Sequence, residues 1–345
     1  MPAGLLCRID FLRMTQTSLS SRFESLPKAE LHLHLEGSIP PATAQALMAR
    51  HGVKATEREV LQHYAFRDFS GFLETFKWVT SFLRQPQDYA LAATNLAEHL
   101  LDQHITYAEV TLSVGVMLLR KQQPKANFEA LLRATEPFER RGLRFRWVFD
   151  AVRQFGAKAA MAVVEAARRC ASKTIVAFGI GGDELSLSPA EFRPVYERAA
   201  ELGLHRLIHA GEVGGPETIR EAIELLSVER IGHGITAIRD RALMDVLAER
   251  KIPLEICPQS NLSTGALARL WSRESVRLED HPLPALFRHG IPVVLSTDDP
   301  ALFRTTLRDE YASAARMGLR ESELEQIRTM GFQCAFPSDA KTQTT

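Results

Sequence analysis

The sequence is poor in cysteine and has no long apolar run, and each property excludes a class of protein. Its four cysteines are scattered and include no CxxC pair: Cys7, Cys170, Cys257 and Cys334. We therefore expect free thiols in a reducing compartment rather than a disulfide framework. No apolar run reaches the length of a membrane span. Arg8, Asp10 and Arg13 interrupt the apolar start of the chain, which argues against a signal peptide. The sequence predicts a cytoplasmic protein that does not insert into a membrane.

An excess of charge of either sign is also missing. Lys and Arg together number 42, Asp and Glu together also number 42, and the formal net charge is zero. A nucleic-acid-binding protein usually carries a basic stripe, so we expect no nucleic acid as a partner. This balance does not exclude a small nucleoside as a substrate. We predict a flexible N-terminal extension over residues 1–26 and a single domain over residues 27–345. Nothing in the sequence indicates an oligomeric state.

Eight short apolar runs alternate with stretches of helical periodicity. Each run ends near Gly, Pro, Asp or Ser, as buried parallel strands do. The runs are Leu31–Leu35, Ile105–Leu112, Arg144–Asp150, Thr174–Ile180, Arg206–Ala210, Arg230–Gly234, Pro253–Cys257 and Pro292–Ser296. Eight strand–helix units in a chain of this length predict a (β/α)8 TIM barrel of the α/β class. The alternative is a doubly wound open sheet, but the chain lacks a Gly-rich first turn of the dinucleotide-binding type.

The interval from Ala42 to His104 predicts extra helices inserted after the first strand, because it is too long for one connection. Its apolar residues follow a 3.6-residue period: Phe69, Phe72, Leu73, Phe76, Val79, Phe82 and Leu83. For most of these side chains we predict that a helix packs on the barrel. The alternative is a lid whose apolar face covers the barrel mouth, excludes water and contacts an aromatic ligand.

The segment Glu30–Gly37 alternates histidine and leucine with the two-residue period of a strand. His32 and His34 therefore leave the backbone on the same face. Two imidazoles on one rigid strand form half of a tetrahedral site for a divalent metal such as zinc. A pair of histidines alone is also compatible with ordinary buried or surface residues. The metal site therefore depends on ligands elsewhere in the chain.

Polar residues that suit such a site follow several other predicted strands. In a TIM barrel, functional groups lie at the C-terminal ends of the strands. The polar segments at these ends are Gly181–Glu184, His209–Glu212, Gly232–Gly234, Cys257–Asn261 and Ser296–Pro300. Each segment alone has an ordinary explanation; Asp299 before Pro300, for example, fits a helix N-cap. Together, histidines at three strand ends and an aspartate at a fourth predict a catalytic zinc site. The predicted fourth strand has no lysine to bridge two metals, so we expect a single ion.

Six motifs, in this order along the chain, resemble those of the adenosine deaminase family in the amidohydrolase superfamily. The resemblance extends from about Leu26 to about Met317. The motifs are Leu26–Gly37, Gly182–Glu184, His209–Glu212, Gly232–Gly234, Cys257–Asn261 and Ser296–Pro300. The resemblance implies one Zn²⁺ per chain, held by His32, His34, His209 and Asp298.

The same resemblance implies roles for other motif residues. Glu212 is in the position of the proton donor, and His233 is beside the zinc-bound water. Asp299 is in the position of a second aspartate that hydrogen-bonds this water. The implied substrate-binding residues are His34, Glu36, Gly182 and Asp299. The backbone of Gly182 would contact the purine, and Glu36 would contact the ribose.

The activity implied by the resemblance is the hydrolytic deamination of adenosine to inosine and ammonia. Zinc lowers the pKa of bound water from about 16 toward 7, and the resulting hydroxide would attack C6 of the purine. Glu212 would be protonated, because N1 must accept a proton as charge builds on the ring. His233 would take or orient the water proton, and Asp299 would steer the hydroxide. The chain lacks the combined HxE and PCxxC signature of another class of zinc deaminases, since it contains no PCxxC.

Glu36 stands where adenosine-specific members of this family carry Asp, which leaves the substrate open. Alternative substrates are adenine, N6-methyl-AMP and a 5′-modified adenosine. The Gly182–Glu184 motif favours a nucleoside, and the sequence does not locate a cationic pocket for a phosphate. Two other classes of protein stay open: another mononuclear zinc amidohydrolase that opens a cyclic amide, and a non-catalytic barrel that binds a nucleoside.

Overall fold

The computed structural model describes residues 23–66 and 68–336, and within them eight strands form one sheet. The strands are β1 (Lys28–His34), β2 (Ile105–Leu112), β3 (Arg144–Val152), β4 (Ile175–Gly181), β5 (His205–Ala210), β6 (Arg230–His233), β7 (Leu254–Ile256) and β8 (Val293–Leu295). Every pairing is parallel, and neighbouring strands follow one another in chain order. All eight strands predicted from the apolar runs are present, and their ends differ from the prediction by three residues or fewer.

Hydrogen bonds between the first and last strands close the sheet into a barrel. Leu33 forms a parallel bridge with Asp298. The N–H of His34 donates to the carbonyl of Asp298 at 2.8 Å, and the N–H of Asp298 donates to the carbonyl of His32 at 2.9 Å. These bonds place the residues that follow β8 beside the end of β1. The predicted (β/α)8 barrel is therefore confirmed, and the open-sheet alternative is excluded.

Helices surround the barrel and connect its strands. Within the described residues they are α1 (Pro41–Arg50), α2 (Glu57–His63), α3 (Phe69–Thr80), α4 (Pro86–Asp102), α5 (Val114–Leu119), α6 (Pro124–Glu139), α7 (Gly156–Cys170), α8 (Arg193–Glu201), α9 (Pro216–Leu226), α10 (Arg241–Glu249), α11 (Pro258–Ser263), α12 (Ala266–Trp271), α13 (Leu283–Arg288), α14 (Pro300–Phe303), α15 (Leu307–Arg316) and α16 (Glu321–Gln333). Their buried residues recur at intervals of three or four. In α9, for example, these are Ile219, Ala222, Ile223 and Leu226, so one face of the helix packs on the sheet.

The interval between β1 and β2 contains α1 to α4, as the prediction of inserted helices required. Helix α3 begins at an N-cap, because the Asp68 side chain accepts a hydrogen bond from the N–H of Gly71 at 2.9 Å. Its Phe72 stacks on Phe303 with ring centroids 5.0 Å apart. Phe72 is buried, whereas Phe76 is half-buried and borders a cavity at the barrel mouth. Helix α3 therefore packs on the barrel, as predicted, and also presents apolar side chains to the mouth.

The described part of the chain includes a few residues before the predicted boundary at residue 27. Phe23 is buried, and its ring stacks on Tyr311 with centroids 5.3 Å apart. The amino group of Lys28 donates to the carbonyl of Phe23 at 2.8 Å. The remainder of the predicted extension, residues 1–22, lies outside the described residues.

The segment Cys334–Phe336 closes the N-terminal end of the barrel. Phe336 is buried, and its ring lies over the guanidinium of Arg230 at 3.7 Å. The backbone N–H of Phe336 donates to Glu109 at 2.6 Å, and its carbonyl accepts from the Tyr107 hydroxyl at 2.7 Å. Because Tyr107, Glu109 and Arg230 lie on β2 and β6, these contacts attach the end of the described chain to the barrel strands.

Two exclusions made from the sequence concern cysteines and membranes. The three cysteines that the structure describes are all free thiols: Cys170, Cys257 and Cys334. Of the helices between residues 23 and 336, none has both the length and the apolar composition needed to cross a bilayer. The cytoplasmic location stays a prediction.

Candidate active site

Five side chains from four strand ends converge at the C-terminal end of the barrel. His32 and His34 lie on β1, His209 on β5 and His233 at the end of β6, and Asp298 follows β8. The ring of His32 lies 4.5 Å from that of His209 and 5.0 Å from that of His233. His233 and Asp298 have φ angles of 64° and 65°, in the left-handed region that residues other than glycine rarely adopt. The structure therefore brings the predicted metal ligands and the predicted catalytic histidine together.

The distances in this cluster suit one metal ion. Donor atoms of His32, His209, His233 and Asp298 all lie within 4.8 Å of one another. Nε2 of His34 lies 3.3 Å from Nε2 of His209 and 3.3 Å from Oδ1 of Asp298. Nε2 of His32 lies 3.5 Å from the same Oδ1. Ligand atoms at about 2.1 Å from a tetrahedral zinc ion are separated by roughly 3.4 Å. Two sets of four ligands are therefore compatible with the cluster, one completed by His34 and the other by His233.

Hydrogen bonds turn two of the histidines toward the centre of the cluster. Nδ1 of His209 donates to the carbonyl of Ile180 at 3.2 Å, and Nδ1 of His32 lies 2.7 Å from Oε2 of Glu255. In both rings the outer nitrogen makes this bond, so Nε2 faces the cluster. Nε2 of His32 is a buried atom without a hydrogen-bond partner among the described residues. A bound cation would satisfy this atom, so the residues fit a metal ion.

Burial and neighbouring charges set the protonation of the cluster. Burial lowers the pKa of His34 to about 4 and the pKa of His209 well below its usual value, so both rings are neutral, as metal ligands must be. Burial alone would lower the pKa of His32, but the carboxylates of Asp298 and Glu255 raise it to about 10. Burial alone would raise the pKa of Asp298, but His32 and the other histidines hold it well below its usual value. A metal ion would therefore displace a proton from His32.

Two motif glycines provide the space that these side chains occupy. A Cβ atom at Gly232 would lie 2.6 Å from Cε1 of His32. A Cβ atom at Gly37 would lie 1.6 Å from Oδ1 of Asp299. Both distances are far shorter than van der Waals contact, so larger residues at positions 37 and 232 would displace groups of the site.

Two carboxyl groups beside the cluster have raised pKa values. For Glu212 and Asp299 alike, burial is the largest cause, and for Asp299 the adjacent charge of Asp298 raises the pKa further. Oε2 of Glu212 lies 3.7 Å from Nε2 of His233, and Oε1 accepts a hydrogen bond from the Thr264 hydroxyl at 3.1 Å. Oδ1 of Asp299 is buried and has no hydrogen-bond partner among the described residues. Raised pKa values at a cavity are typical of groups that transfer protons.

Glu184 fixes the loop that carries Glu212, a role that the sequence analysis did not assign. The two oxygens of Glu184 accept hydrogen bonds from the N–H groups of Gly211, Glu212, Val213 and Gly214 and from the hydroxyl of Thr218. A Cβ atom at Gly214 would lie 2.6 Å from one of these oxygens. The position of Glu212 therefore depends on a buried carboxylate in the preceding strand–helix connection. No local pattern predicts this, because the partners are 27 to 34 residues apart.

Glu255 is a second functional residue that the sequence analysis missed. It lies in the middle of β7 and is 1% exposed. Besides His32, it contacts Arg230, whose Nε lies 2.6 Å from Oε1. A charged residue inside an apolar run such as Pro253–Cys257 must be paired when it is buried. This mismatch between residue type and strand pattern was the signal that could have identified it.

Gly182 and Glu36, the residues that the resemblance implies for the contacts with purine and ribose, differ in their position relative to the cavity. Gly182 lines the cavity with φ of +96°, and a Cβ atom there would lie 2.5 Å from Oε1 of Gln154. Glu36 is buried, and its Oε1 accepts a hydrogen bond from the N–H of Ser113 at 3.0 Å. It does not belong to the residues that line the cavity. Burial raises the pKa of Glu36 to about 7. The contact of Glu36 with a ribose stays a prediction.

A cavity of about 390 Å³ adjoins the cluster. One part of its lining is polar: His34, His209, Glu212, His233, Asp298 and Asp299. Another part is apolar and comes mainly from α3, α5 and the residues after β3: Phe69, Phe72, Leu73, Phe76, Val116, Leu119 and Phe155. Lys77 and Arg120 also line the cavity. Such a cavity can bury an aromatic base together with a substituent.

Known proteins resemble this chain in sequence and in fold. The family model for adenosine deaminase matches residues 27–344. The aminodeoxyfutalosine deaminase of Streptomyces coelicolor is 36% identical over 318 residues, which are 90% of this chain and 80% of that protein. The structure of an adenine deaminase from Arthrobacter aurescens superposes with a TM-score of 0.83 at 28% identity, covering 91% of this chain and 95% of that chain.

A further solved structure supports the fold. It is an amidohydrolase from Burkholderia ambifaria with bound Zn, which superposes with a TM-score of 0.84 at 24% identity and covers 94% of this chain and 89% of that chain. The family model spans residues 27–344 and thus almost all of the described chain. The chain belongs to the adenosine deaminase family of amidohydrolases.

Proposed function

We propose that this protein hydrolyses a 6-aminopurine nucleoside, with adenosine as the first candidate, to the 6-oxopurine nucleoside and ammonia. The observation that carries the proposal is that one cavity contains both the metal-compatible cluster and the half-buried Glu212, whose pKa is raised by desolvation. Membership of the adenosine deaminase family supports the reaction type. The similar proteins named above act on aminodeoxyfutalosine and adenine, which both carry the 6-amino group of adenine.

We assign the zinc ion to His32, His34, His209 and Asp298. The tetrahedral spacing of His34, His209 and Asp298 supports this set. When bound, the ion would lower the pKa of a coordinated water to about 7 and thus supply a nucleophile at neutral pH. Glu255 and the carbonyl of Ile180 orient His32 and His209 through their Nδ1 atoms, as second partners of metal-bound histidines commonly do.

Asp299 and Glu212 would move the protons of the reaction. The oxygen of water forms a bond with C6 and gives one proton to Asp299, which the positive charge of a bound zinc ion would keep ionised, while Glu212 gives its proton to N1. The C6–N bond then breaks, and the amino group leaves as ammonia with the proton from Asp299. The proton left on the new oxygen returns to Glu212. The product keeps N1–H and C6=O, so the net reaction consumes one water and releases one ammonia.

The remaining cavity residues would bind and orient the substrate. The backbone of Gly182 can approach the purine closely because this residue has no Cβ. Phe76 and Phe155 supply aromatic surface that excludes water from the reacting atoms. Glu36 would contact a ribose hydroxyl only after its side chain turns into the cavity, because one of its oxygens is held by Ser113.

Zinc content and the ultraviolet absorbance change of adenosine test the proposal together. We expect one zinc ion per chain and a decrease in the adenosine absorbance. Glu212→Gln should keep its zinc but reduce turnover by about 10²- to 10⁴-fold, because the amide cannot give a proton to N1. Glu217→Gln, an exposed position in α9, is the matched control and should keep full activity. Full turnover by Glu212→Gln would contradict the role of Glu212.

An adenosine that carries an anionic group at the 5′ position is the second candidate substrate. Arg120 lines the cavity half-buried, and both of its terminal nitrogens donate to Thr80. The carboxylate of Glu36 interacts electrostatically with Arg120, and a substrate anion that reached the guanidinium would add a charge-assisted hydrogen bond. Lys77 adds a second positive charge to the same lining.

A substrate panel separates these candidates from the other classes of protein. Adenosine, adenine, AMP, N6-methyl-AMP and a 5′-carboxylate of adenosine should be compared by kcat/KM in the same zinc-loaded preparation. A preference for AMP or the carboxylate would support the second candidate. Hydrolysis of a cyclic amide without release of ammonia from any purine would instead identify another kind of amidohydrolase. Tight adenosine binding without turnover would identify a non-catalytic barrel.

A further inference from the structure

A chain of hydrogen bonds behind His233 takes no part in the proton transfers described above. The N–H of Leu283 donates to Nδ1 of His281 at 3.0 Å, Nε2 of His281 lies 3.2 Å from Oδ1 of Asn261, and Nδ2 of Asn261 lies 3.1 Å from Nδ1 of His233. His281, Asn261 and His233 are between 0% and 3% exposed. The chain thus leads from the first turn of α13, through α11, to the end of β6 without contact with solvent.

The backbone N–H of Leu283, at the start of this chain of hydrogen bonds, fixes the direction of every bond that follows. A backbone N–H can only donate, so Nδ1 of His281 must accept and cannot carry a proton. Burial lowers the pKa of His281 to about 3, so this ring is neutral and its proton is on Nε2. Nε2 therefore donates to Asn261, and only the amide oxygen of Asn261 can accept. The amide nitrogen of Asn261 must then face His233.

The last bond determines which nitrogen of His233 is protonated. The amide nitrogen of Asn261 donates, so Nδ1 of His233 accepts. In a neutral ring the proton must then be on Nε2, the atom that lies 3.7 Å from Glu212 and 3.9 Å from Asp298. His209 shows the opposite arrangement, because its Nδ1 donates to a carbonyl and its Nε2 is left without a proton.

We infer that His281 and Asn261 are positioning residues that hold His233 in the tautomer with the proton on Nε2, so that His233 donates a hydrogen bond into the cavity. Through Nε2 it then neither binds the metal ion nor takes the proton of the attacking water. His233 is thereby excluded from the second of the two possible ligand sets, and His34 completes the site. The tautomer is a property of the folded chain, whereas the benefit of this donor to catalysis rests on the proposed function.

The inferred tautomer gives His233, Asp299 and Glu212 different roles in the reaction. Charge builds on the attacking oxygen as its bond to C6 forms, and a fixed N–H donor stabilises such charge. Because His233 already has its proton, Asp299 receives the proton of the water. Glu212 stays free to protonate N1. This assignment differs from the expectation in the sequence analysis that His233 takes or orients the water proton, since only the orienting role is compatible with a protonated Nε2.

Nitrogen NMR of protein labelled with ¹⁵N-histidine tests the tautomer directly. The His233 signals are identified by their loss in His233→Gln, and spectra are recorded for metal-free and zinc-loaded protein. We expect a protonated Nε2 and an unprotonated Nδ1 in wild type. Asn261→Asp should reverse this pattern, because a carboxylate accepts a proton from Nδ1 instead of donating to it. A wild-type spectrum with the proton on Nδ1 would overturn the inference.

Kinetics of the same variants distinguish a positioning role from a structural one. With the preferred purine of the panel, Asn261→Asp should lower kcat by about 10²- to 10⁴-fold, because a positioned proton donor contributes about this factor and a wrong histidine tautomer can cost about 10⁴-fold. KM should change less than tenfold. Asn127→Asp makes the same substitution at another buried position, 2% exposed in α6, and should leave both kcat and the His233 spectrum unchanged.

Variants of His281 provide a rescue experiment. His281→Gln keeps an N–H that can donate to Asn261 and should retain most of kcat and the tautomer, whereas His281→Leu has no donor and should lose both. Equal activity of these two variants would overturn the inference. If Asn261→Asp fails to fold, the wild-type spectrum and the comparison of His281→Gln with His281→Leu still test the tautomer of His233. A wild type that deaminates no 6-aminopurine would refute the proposed function, while the spectrum would still decide the tautomer.

Discussion

Nδ1 of His32 lies 2.7 Å from Oε2 of Glu255, and the other oxygen of Glu255 lies 2.6 Å from Nε of Arg230. This carboxylate therefore connects a proposed zinc ligand to a buried arginine. Arg230 also pairs with Glu109 and lies against the ring of Phe336. The orientation of a zinc ligand at one end of the barrel thus depends on a network that continues to the opposite end.

Glu255→Gln should lower the affinity for zinc by about 10- to 100-fold, because the neutral amide no longer stabilises the Nδ1–H of His32. Titration with zinc against a chelator of known affinity measures the change. Glu229→Gln is the control, since Glu229 pairs with His205 at the partly exposed N-terminal end of the strands. If both variants bind zinc as tightly as wild type, Glu255 does not orient the ligand.

Phe336→Ala should reduce the free energy of unfolding by about 3 kcal/mol, because it removes a buried ring from the N-terminal end of the barrel. This ring stacks on His205 with centroids 4.1 Å apart and covers Arg230. Urea denaturation of wild type and variant measures the two free energies of unfolding. Phe332→Ala, at a position 37% exposed, should change the stability by less than about 0.5 kcal/mol. Equal losses in the two variants would argue against a closing role of the C-terminal segment.

Glu184→Gln should lower kcat by roughly 10²-fold while zinc content stays at the wild-type value. The amide presents N–H groups to backbone N–H donors, so the loop that carries Glu212 must shift, and small displacements of a catalytic group cost about this factor. Steady-state kinetics with adenosine and metal analysis check both parts. Glu191→Gln, an exposed carboxylate nearby in the chain, should behave as wild type. Loss of zinc would instead indicate that the barrel itself is disturbed.

Asp150→Asn should flatten the pH dependence of stability of the metal-free protein. Burial and the nearby charge of Glu36 raise the pKa of Asp150 from 3.8 to about 8. Between these values the folded state binds a proton that the unfolded state lacks, so the stability due to this group falls as the pH rises. The slope is about 1.4 kcal/mol per pH unit. Denaturation at pH 5, 6 and 7 should show a smaller decrease of the free energy of unfolding with pH in the variant than in wild type. Identical slopes of this free energy against pH would contradict the raised pKa.

Arg120→Gln should raise KM about tenfold or more for AMP and for adenosine 5′-carboxylate, because a charge-assisted hydrogen bond is worth about 1.5–3 kcal/mol. KM for adenosine and adenine should change little. Lys121→Gln, at the exposed neighbouring residue, is the control. A similar increase of KM for charged and uncharged substrates would indicate that Arg120 shapes the cavity rather than binds an anion.

The order of the strands and the position of the site could be predicted from the sequence. Buried parallel strands leave short apolar runs, and the residue that follows each run is near the C-terminal end of the barrel. For this reason the segments around His32, His209 and Asp298 could be assigned to one site, although they are far apart in the chain. The predicted strand Ile105–Leu112, for example, has the same first and last residues as β2 in the structure.

Only the tertiary structure decided which side chains hold the others in place. Glu184, Glu255, Asn261 and His281 act through hydrogen bonds to groups on other strands and helices. A strand pattern shows which face a residue is on, but not the side-chain angle or the nitrogen that carries a proton.

The local sequence thus determined the barrel and the residues at its mouth, because hydrophobic periodicity is a short-range property. The roles of His34 and His233 depend on contacts across the closed barrel, because a histidine nitrogen becomes a ligand or a donor according to the partner of the other nitrogen. Those partners meet only when β1, β5, β6 and β7 close around the site.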